Sequence, residues 1–429
     1  MSQPPILHIP PRTIMTPGPV EAEPSVLKAM SSSILGQFDP GFTQIMNDTM
    51  VSLRKVLQTD NHWAFPVDGT SRAGIEAMLC SVIEEGDRVL IPCFGRFGYL
   101  LTEIAERSGA EVHLMACEWG KVFEPAQVIA EMERVKPKVV AMVHGDTSTG
   151  RMQPLKDIGQ ACRDLDMLLI VDAVATVGGT DVKTDEWNID GLITGTQKCL
   201  SVPSGLAPLT YNDRIEQILN ERKSIEKGLI PPGENKGGMS PQGGRSGGIG
   251  RRIRSNYLDL SQLQDYWSPA RLNHHTEATS MIYGLYEGLR VILQEGLPAR
   301  FDRHRLNEKA LVAGLEAMGL SLFGDPASKL PTVTCVNIPA NIHGDSVRAM
   351  LLEEFGIEIA SSFGPLHGKI WRIGTMGYSC QKRNILLTLG AFEAVLLRHG
   401  AKLYVGSGVQ AAMDVYEEAA KPNHEVTAK

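Results

Sequence analysis

Short, continuous apolar runs, each separated from the next by a helical stretch, constrain this chain more than any other feature. Residues 88–93, 111–115, 138–144, 167–172, 190–194 and 206–211 read as strands, and residues 73–84, 99–107 and 155–165 read as helices. The strands do not alternate apolar with polar, so both of their faces must be covered. Parallel strands need long crossovers, and the helices between them supply these. The fold class that follows is α/β: a mostly parallel central sheet with helices on both faces. Such sheets bind ligands in the crevice at the carboxyl ends of their strands.

At 429 residues the chain is long enough for two domains. Residues 1–24 read as an extended arm, since six prolines fall in the first 20 residues. Residues 25–289 form the expected large domain. Within it, residues 231–250 hold eight glycines and three prolines with almost no apolar side chain, which reads as a loop. Residues 290–429 form a smaller α+β C-terminal domain. There Leu311, Leu315 and Met318 fall at helical spacing, residues 331–339 and 369–374 read as strands, and residues 383–398 as a closing helix. Asp345 is the expected N-cap of a helix ending at Phe355.

The net charge of −7 argues against nucleic acid or an anionic membrane as partner. No run is long and apolar enough to span a bilayer, and the proline-rich start lacks the apolar core of a secretory signal. The seven cysteines are odd in number, scattered and without a CxxC pair, which points to buried thiols in the cytoplasm. His274-His275 is the one hint of metal. Neighbouring histidines on a strand would face opposite ways, and no carboxylate or cysteine spacing supports them, so no metal site is expected.

Two strand ends carry the chemistry. The run Leu168-Leu169-Ile170-Val171 ends in Asp172, and 26 residues later a second run ends in Gly195-Thr196-Gln197-Lys198. Pyridoxal 5'-phosphate needs a lysine amine for its aldehyde and an acid that keeps its ring nitrogen protonated. Gly69-Thr70-Ser71-Arg72 precedes a helix, where freed N–H groups and the helix dipole favour a phosphate; alone it is an ordinary helix start. Phe97 follows a strand and can stack on a flat ring, while His144-Gly145-Asp146-Thr147-Ser148-Thr149-Gly150 offers hydroxyl donors or a simple turn. Arg372 lies inside the apolar strand Trp371-Arg372-Ile373 and needs an anionic partner, a substrate carboxylate or a structural one.

These residues, in this order, resemble the class V aminotransferases of the fold-type I pyridoxal-phosphate family. The likeness runs from Thr16-Pro17-Gly18-Pro19 to the last helix and is strongest at residues 144–150, 171–174, 195–200, 274–276 and 372–374. It implies Lys198 as the Schiff-base lysine and Asp172 as the pyridinium partner. It implies Phe97 under the ring, Thr147 on the phenolic oxygen, and Thr70, Ser71 and Gln197 on the phosphate. Thr276 would join them from the second subunit of a homodimer with shared sites. Arg372 would hold the substrate carboxylate. Arg72 departs from the family's usual aromatic or His at its place. Gln37 and Asn273 replace the His and Tyr of alanine–glyoxylate enzymes. Together with Ser255-Asn256-Tyr257 they resemble the (S)-ureidoglycine–glyoxylate group of purine breakdown. Amides match a ureido group's donors and acceptor. The substrates implied are a small amino donor and glyoxylate. Alanine or serine is the alternative donor. A cysteine lyase is a further reading, disfavoured by Gln197 before the lysine and by the apolar or turn settings of Cys335 and Cys380. A scaffold without catalysis is disfavoured by intact Lys198, Asp172 and Arg372.

Overall fold

The computed structural model describes residues 6–224 and 251–421, so the glycine-rich segment 231–250 lies outside the described residues. Seven strands make the central sheet: β1 (Trp63–Asp68), β2 (Arg88–Cys93), β3 (Glu111–Ala116), β4 (Val139–Val143), β5 (Leu168–Asp172), β6 (Gly191–Ile193) and β7 (Leu206–Tyr211). Their order is β1-β7-β6-β5-β4-β2-β3. Only β7 runs against its neighbours. Every residue of β4 and β5 is buried, as expected for strands covered on both faces. Because β1 is parallel to β6, the ends of β1, β2, β4, β5 and β6 open on one edge of the sheet. The motifs around Thr70, Phe97, Thr147, Asp172 and Lys198 follow those strands.

Helix α1 (Ser71–Val82) follows β1, and α2 (Arg96–Arg107) follows β2. Both start earlier than local spacing indicates. For α2 the reason is tertiary. The N–H groups of Arg96 and Phe97, which a helix start leaves unpaired, donate to Ser148 Oγ at 3.0 Å and Asp146 Oδ2 at 2.9 Å. Partners some fifty residues away supply the extra turn, so Phe97 sits on the helix rather than ahead of it.

Helix α3 (Thr279–Glu295) buries side chains up to Ile292 in the core of the central sheet. It therefore runs through the expected boundary at 289/290. Gly296, at a φ of 82°, turns the chain into α4 (Leu297–Ala317). A second apolar core takes in Ala310, Trp371 and Phe392. It covers a three-stranded antiparallel sheet of β8 (Val333–Asn337), β9 (Ala360–Ser361) and β10 (Ile370–Gly374), in the order β8-β10-β9. Burying side chains of this size contributes about 1.5–3 kcal/mol each.

Asp345 does not cap its helix. His343 does, with Nδ1 accepting from the Ser346 N–H at 3.3 Å, and Asp345 falls in the first turn. Helix α5 (Lys382–Arg398) does not close the chain, because α6 (Ser407–Ala420) follows and packs on α4. The arm is extended and exposed over Ile6, Leu7 and Ile9. It then pairs Thr13–Ile14 in parallel with Ile357–Glu358 and buries Met15 in the second core. That anchoring delivers Pro17 and Gly18 to the edge of the sheet where the strand ends meet.

Candidate active site

A cleft of about 480 Å³ opens at that edge. Thr70, Ser71, Arg72, Phe97, Thr147, Asp172, Gln197, Lys198 and Arg372 all line it. Nine residues expected from the sequence thus meet in one place, drawn from five strand ends and the second sheet.

Lys198 is buried, and its Nζ donates to the carbonyl of Pro17. Gly18 has to be glycine. Its φ is +107°, and a Cβ there would meet Lys198 Cδ at 2.4 Å. Burial, helped by repulsion from Arg372, lowers the Lys198 amine to about 8. Asp172 ends β5, and its Oδ1 accepts the Val174 N–H at 3.0 Å. Burial raises its carboxyl to about 6. Among the described residues it makes no ion pair, and the Lys198 amine offsets its charge only in part, so a bound cation would stabilise it further.

The other end of the cleft suits an anion. Thr70 starts α1 without a side-chain cap, leaving first-turn N–H groups open. Gln197 pairs with Ser71 Oγ at 2.7 Å, and its other amide atom is buried without a partner. The amide's two ends are interchangeable in assignment. With its oxygen on the Ser71 hydroxyl, its NH2 is free to donate into the cleft. Arg72 extends its exposed side chain beside them. The donor set, the unpaired carboxylate and the buried amine together match the phosphate, ring nitrogen and aldehyde of pyridoxal phosphate.

Arg372, in the middle of β10, is buried. Its Nε donates to the Ser361 carbonyl at 2.7 Å and one Nη to the Thr147 carbonyl at 3.0 Å. No carboxylate pairs with it among the described residues, so the structural ion pair weighed from the sequence is not there. Burial brings its guanidinium down to about 10, still fully charged near neutral pH.

Gln37, Asn273 and Thr276 do not line this cleft. Gln37 Nε2 donates to Asn273 Oδ1 at 2.5 Å, and Asn273 and Thr276 are exposed. Their segment is not a strand, so the rings of His274 and His275 do not diverge as expected but meet, Nδ1 to Nδ1, at 2.8 Å. Three contributors had no assigned role in the sequence reading: Arg96, Phe363 and Asp146. Asp146 is fully buried and accepts from Phe97 N–H, Ser148 N–H and Ser148 Oγ, so it holds the start of α2 to the Thr147 loop. A carboxylate three residues after a continuous apolar strand was the available signal. Cys335 and Cys380 are buried, and burial pushes their thiols up to about 11 and about 12, opposite to what a nucleophile needs.

A cleft with this donor set at the strand ends defines a pyridoxal-phosphate enzyme, and comparison with known proteins narrows the class. The chain belongs to the class V aminotransferase family, and it is a pyridoxal-phosphate-dependent transaminase. The family pattern, Aminotransferase class-V, matches residues 25–224. The chain is 63% identical over 416 residues to an (S)-ureidoglycine–glyoxylate transaminase of Bacillus subtilis, covering 97% of this chain and 98% of that one. It is 32% identical to an alanine–glyoxylate aminotransferase of Drosophila melanogaster, over 91% of this chain and 93% of that one. A crystal structure of ureidoglycine–glyoxylate aminotransferase from Bacillus subtilis aligns with a TM-score of 0.89 and 62% identity, covering 96% of this chain and all of that one.

The lowered amine has a measurable consequence. Covalent capture of pyridoxal phosphate by the apoenzyme should accelerate with pH through about 8, as Nζ loses its proton, and level off above. Stopped-flow absorbance would follow it. A rate that keeps rising toward 10.5, the ordinary lysine value, would mean that burial does not tune this amine.

Proposed function

We propose that this chain transfers the amino group of (S)-ureidoglycine to glyoxylate, giving oxalurate and glycine, in purine catabolism. The observation that carries the reading is the 63% identity, over 97% of the chain, to a transaminase with those substrates, against 32% to one acting on alanine. The Gln37–Asn273 amide pair supports it further.

Bound pyridoxal phosphate supplies an aldehyde that accepts amino groups and a ring that withdraws electrons. The residues of the chain do the rest. Lys198 would hold the cofactor's aldehyde through Nζ, and the same buried amine is placed to move a proton at the donor's α carbon. Asp172 keeps the ring nitrogen protonated, because a carboxylate buried beside a cation favours the charged form of both. Thr70, Ser71, Gln197 and Arg72 would hold the phosphate, Thr147 the phenolic oxygen, and Phe97 would pack on the ring. Arg372 turns each substrate's carboxylate the same way, which sets the α carbon over Lys198 for donor and acceptor alike. Its guanidinium, already fixed by two carbonyls, loses little freedom on binding.

The protein acts as a homodimer in the cytoplasm. What supports a shared site is that Gln37, Asn273 and Thr276 lie at or near the surface, off the cleft of their own chain. A second copy can bring them to it. The seven cysteines, all unpaired, support a reducing compartment. Among the described residues no helix is long and apolar enough to cross a membrane.

The test follows the nitrogen. With (S)-ureidoglycine generated in situ and labelled with 15N at its amine, the label should appear in glycine, with one oxalurate formed per glycine. Glycine without label, or without oxalurate, would count against the reading. Replacing Arg372 by Ala should lower kcat/KM for glyoxylate and for every donor by roughly 10²-fold, through loss of a charge-assisted fork. An unchanged KM for glyoxylate in that variant would remove Arg372 from the carboxylate site. Gln37→His with Asn273→Tyr should shift the ratio of ureidoglycine to alanine kcat/KM against ureidoglycine by roughly tenfold or more, the loss of one buried amide partner. An unchanged ratio would assign donor choice elsewhere.

A further inference from the structure

Three arginines line the cleft, and the roles above employ two of them, Arg72 at the phosphate and Arg372 at the carboxylate. Arg96 is the third. It is the first residue of α2, and its backbone N–H donates to Ser148 Oγ at 3.0 Å. Gly95 packs against the Asp146 carboxylate so closely that a Cβ there would meet it at 2.4 Å. The helix start is therefore pinned to the Thr147 loop at the centre of the site. From that anchor the Arg96 side chain crosses the cleft. Its guanidinium lies 5.4 Å from the centre of the Phe97 ring and 4.4 Å from that of Phe363. The Arg372 guanidinium packs on the same Phe363 ring at 4.6 Å. Phe363 thus holds two cations beside the place where a substrate must lie, between the ring-stacking Phe97 and the carboxylate-binding Arg372. Among the described residues Arg96 has no ion pair and no side-chain hydrogen bond, so its five N–H donors are not used by the protein. Two like charges kept this close cost stability that the buried Asp146 carboxylate, which acts on Arg372, offsets in part, and a ligand that brings oxygen acceptors to both would offset more.

We infer that Arg96 is a specificity-determining residue that donates to the carbonyl oxygen at the far end of the amino donor, opposite the carboxylate on Arg372. The inference rests on the ureidoglycine reading and deepens it. A ureido group has one strong acceptor, its carbonyl oxygen, and several N–H donors. Gln37 and Asn273 can accept from the N–H groups, and Arg96 supplies the donor that the carbonyl needs. Alanine has a methyl at that place and uses no such contact, while serine has only a hydroxyl. Discrimination of this kind is large, because a site built to bond a polar group is left unpaired by an analogue that lacks it.

The experiment compares kcat/KM for (S)-ureidoglycine, generated in situ, and for alanine, each with glyoxylate, in the parent, Arg96→Met and Arg96→Lys. Methionine keeps an unbranched stem against Phe363 and removes the donors. Lysine keeps the charge and loses the planar fork. In Arg96→Met the ratio of ureidoglycine to alanine kcat/KM should fall roughly ten- to a hundredfold, with Arg96→Lys between it and the parent. The thermal midpoint and the visible absorbance of bound cofactor should stay close to the parent's in both, which separates recognition from damage to the fold. If the parent favours ureidoglycine and both variants keep that ratio, Arg96 is not the carbonyl's partner and the proposed function stands. If the parent favours alanine, the functional reading fails and this inference fails with it. If both variants lose cofactor absorbance in step with activity, Arg96 serves the cofactor instead, and the inference is overturned.

Discussion

Lys198→Ala should still bind pyridoxal phosphate but should turn over roughly 10⁴-fold more slowly, and borohydride should no longer fix the cofactor to the protein. The effect is large because one amine does two jobs. In the proposed function its nitrogen would hold the aldehyde carbon at rest and move the α proton during the reaction. The fold commits it to both. Lys198 is walled by Pro17 and Gly18 on one side and faces Arg372 on the other, and burial keeps its amine near 8 rather than 10.5. Binding should survive, since Thr70, Ser71 and Arg72 at the phosphate end lie at the start of α1, and Gln197 beside them is held by Ser71 rather than by the Lys198 side chain. A variant that keeps more than about a hundredth of parental turnover would mean that another base serves the α carbon. A borohydride adduct on a different lysine would refute the assignment outright.

Asp172→Asn should cost roughly 10²–10³-fold in both half-reactions while making the apoenzyme more stable at neutral pH. The second effect follows from burial. The Asp172 carboxyl is raised from 3.8 to about 6 in the folded chain. A group whose folded value is raised contributes stability that is present below its unfolded value and lost as pH rises through the folded one. The apoenzyme should therefore weaken between about pH 4 and pH 6, by roughly 2–3 kcal/mol. Asparagine keeps the acceptor for the Val174 N–H and carries no charge, so its apoenzyme should escape that loss. Urea unfolding of both apoenzymes at pH 4 and pH 8 measures the difference. An advantage for Asn at pH 8 that disappears at pH 4 fits the buried, unpaired carboxylate. Equal stabilities at pH 8 would contradict it. Cofactor binding should reverse the order, since a pyridinium gives only the aspartate a partner.

The two strand-end residues were legible because the strands are. Leu168–Asp172 is apolar without interruption and then stops at a carboxylate, and a strand buried on both faces can be written in few other ways. Arg372 stood out for the complementary reason, as a charge inside an apolar strand. The family resemblance added roles that residue patterns alone do not assign, such as Thr147 and Gln197. What stayed hidden depends on contacts between distant segments. The early start of α2 needs Asp146 and Ser148. The position of Phe363 needs guanidinium groups from a helix of the large domain and a strand of the second sheet. The link between Pro17 and Lys198 joins residues 181 positions apart. Trp63–Asp68 escaped notice as the first strand because its proline and tryptophan mask the apolar run, although all its residues but the last are buried. Gln37 and Asn273 were read as substrate-facing amides, and the chain pairs them 236 residues apart but away from its own cleft. In the proposed homodimer that role would fall to a second subunit, which no single-chain pattern encodes.

The most direct test of donor identity is a competition for glyoxylate between (S)-ureidoglycine generated in situ, alanine and serine, with oxalurate, pyruvate and hydroxypyruvate measured together. At equal donor concentrations the product ratio equals the ratio of kcat/KM values. The account predicts that oxalurate dominates, by roughly tenfold or more over each of the others, the discrimination expected when a site built for polar groups meets a methyl or a single hydroxyl. Pyruvate or hydroxypyruvate in excess over oxalurate would contradict it, leaving a class V aminotransferase whose donor is alanine or serine.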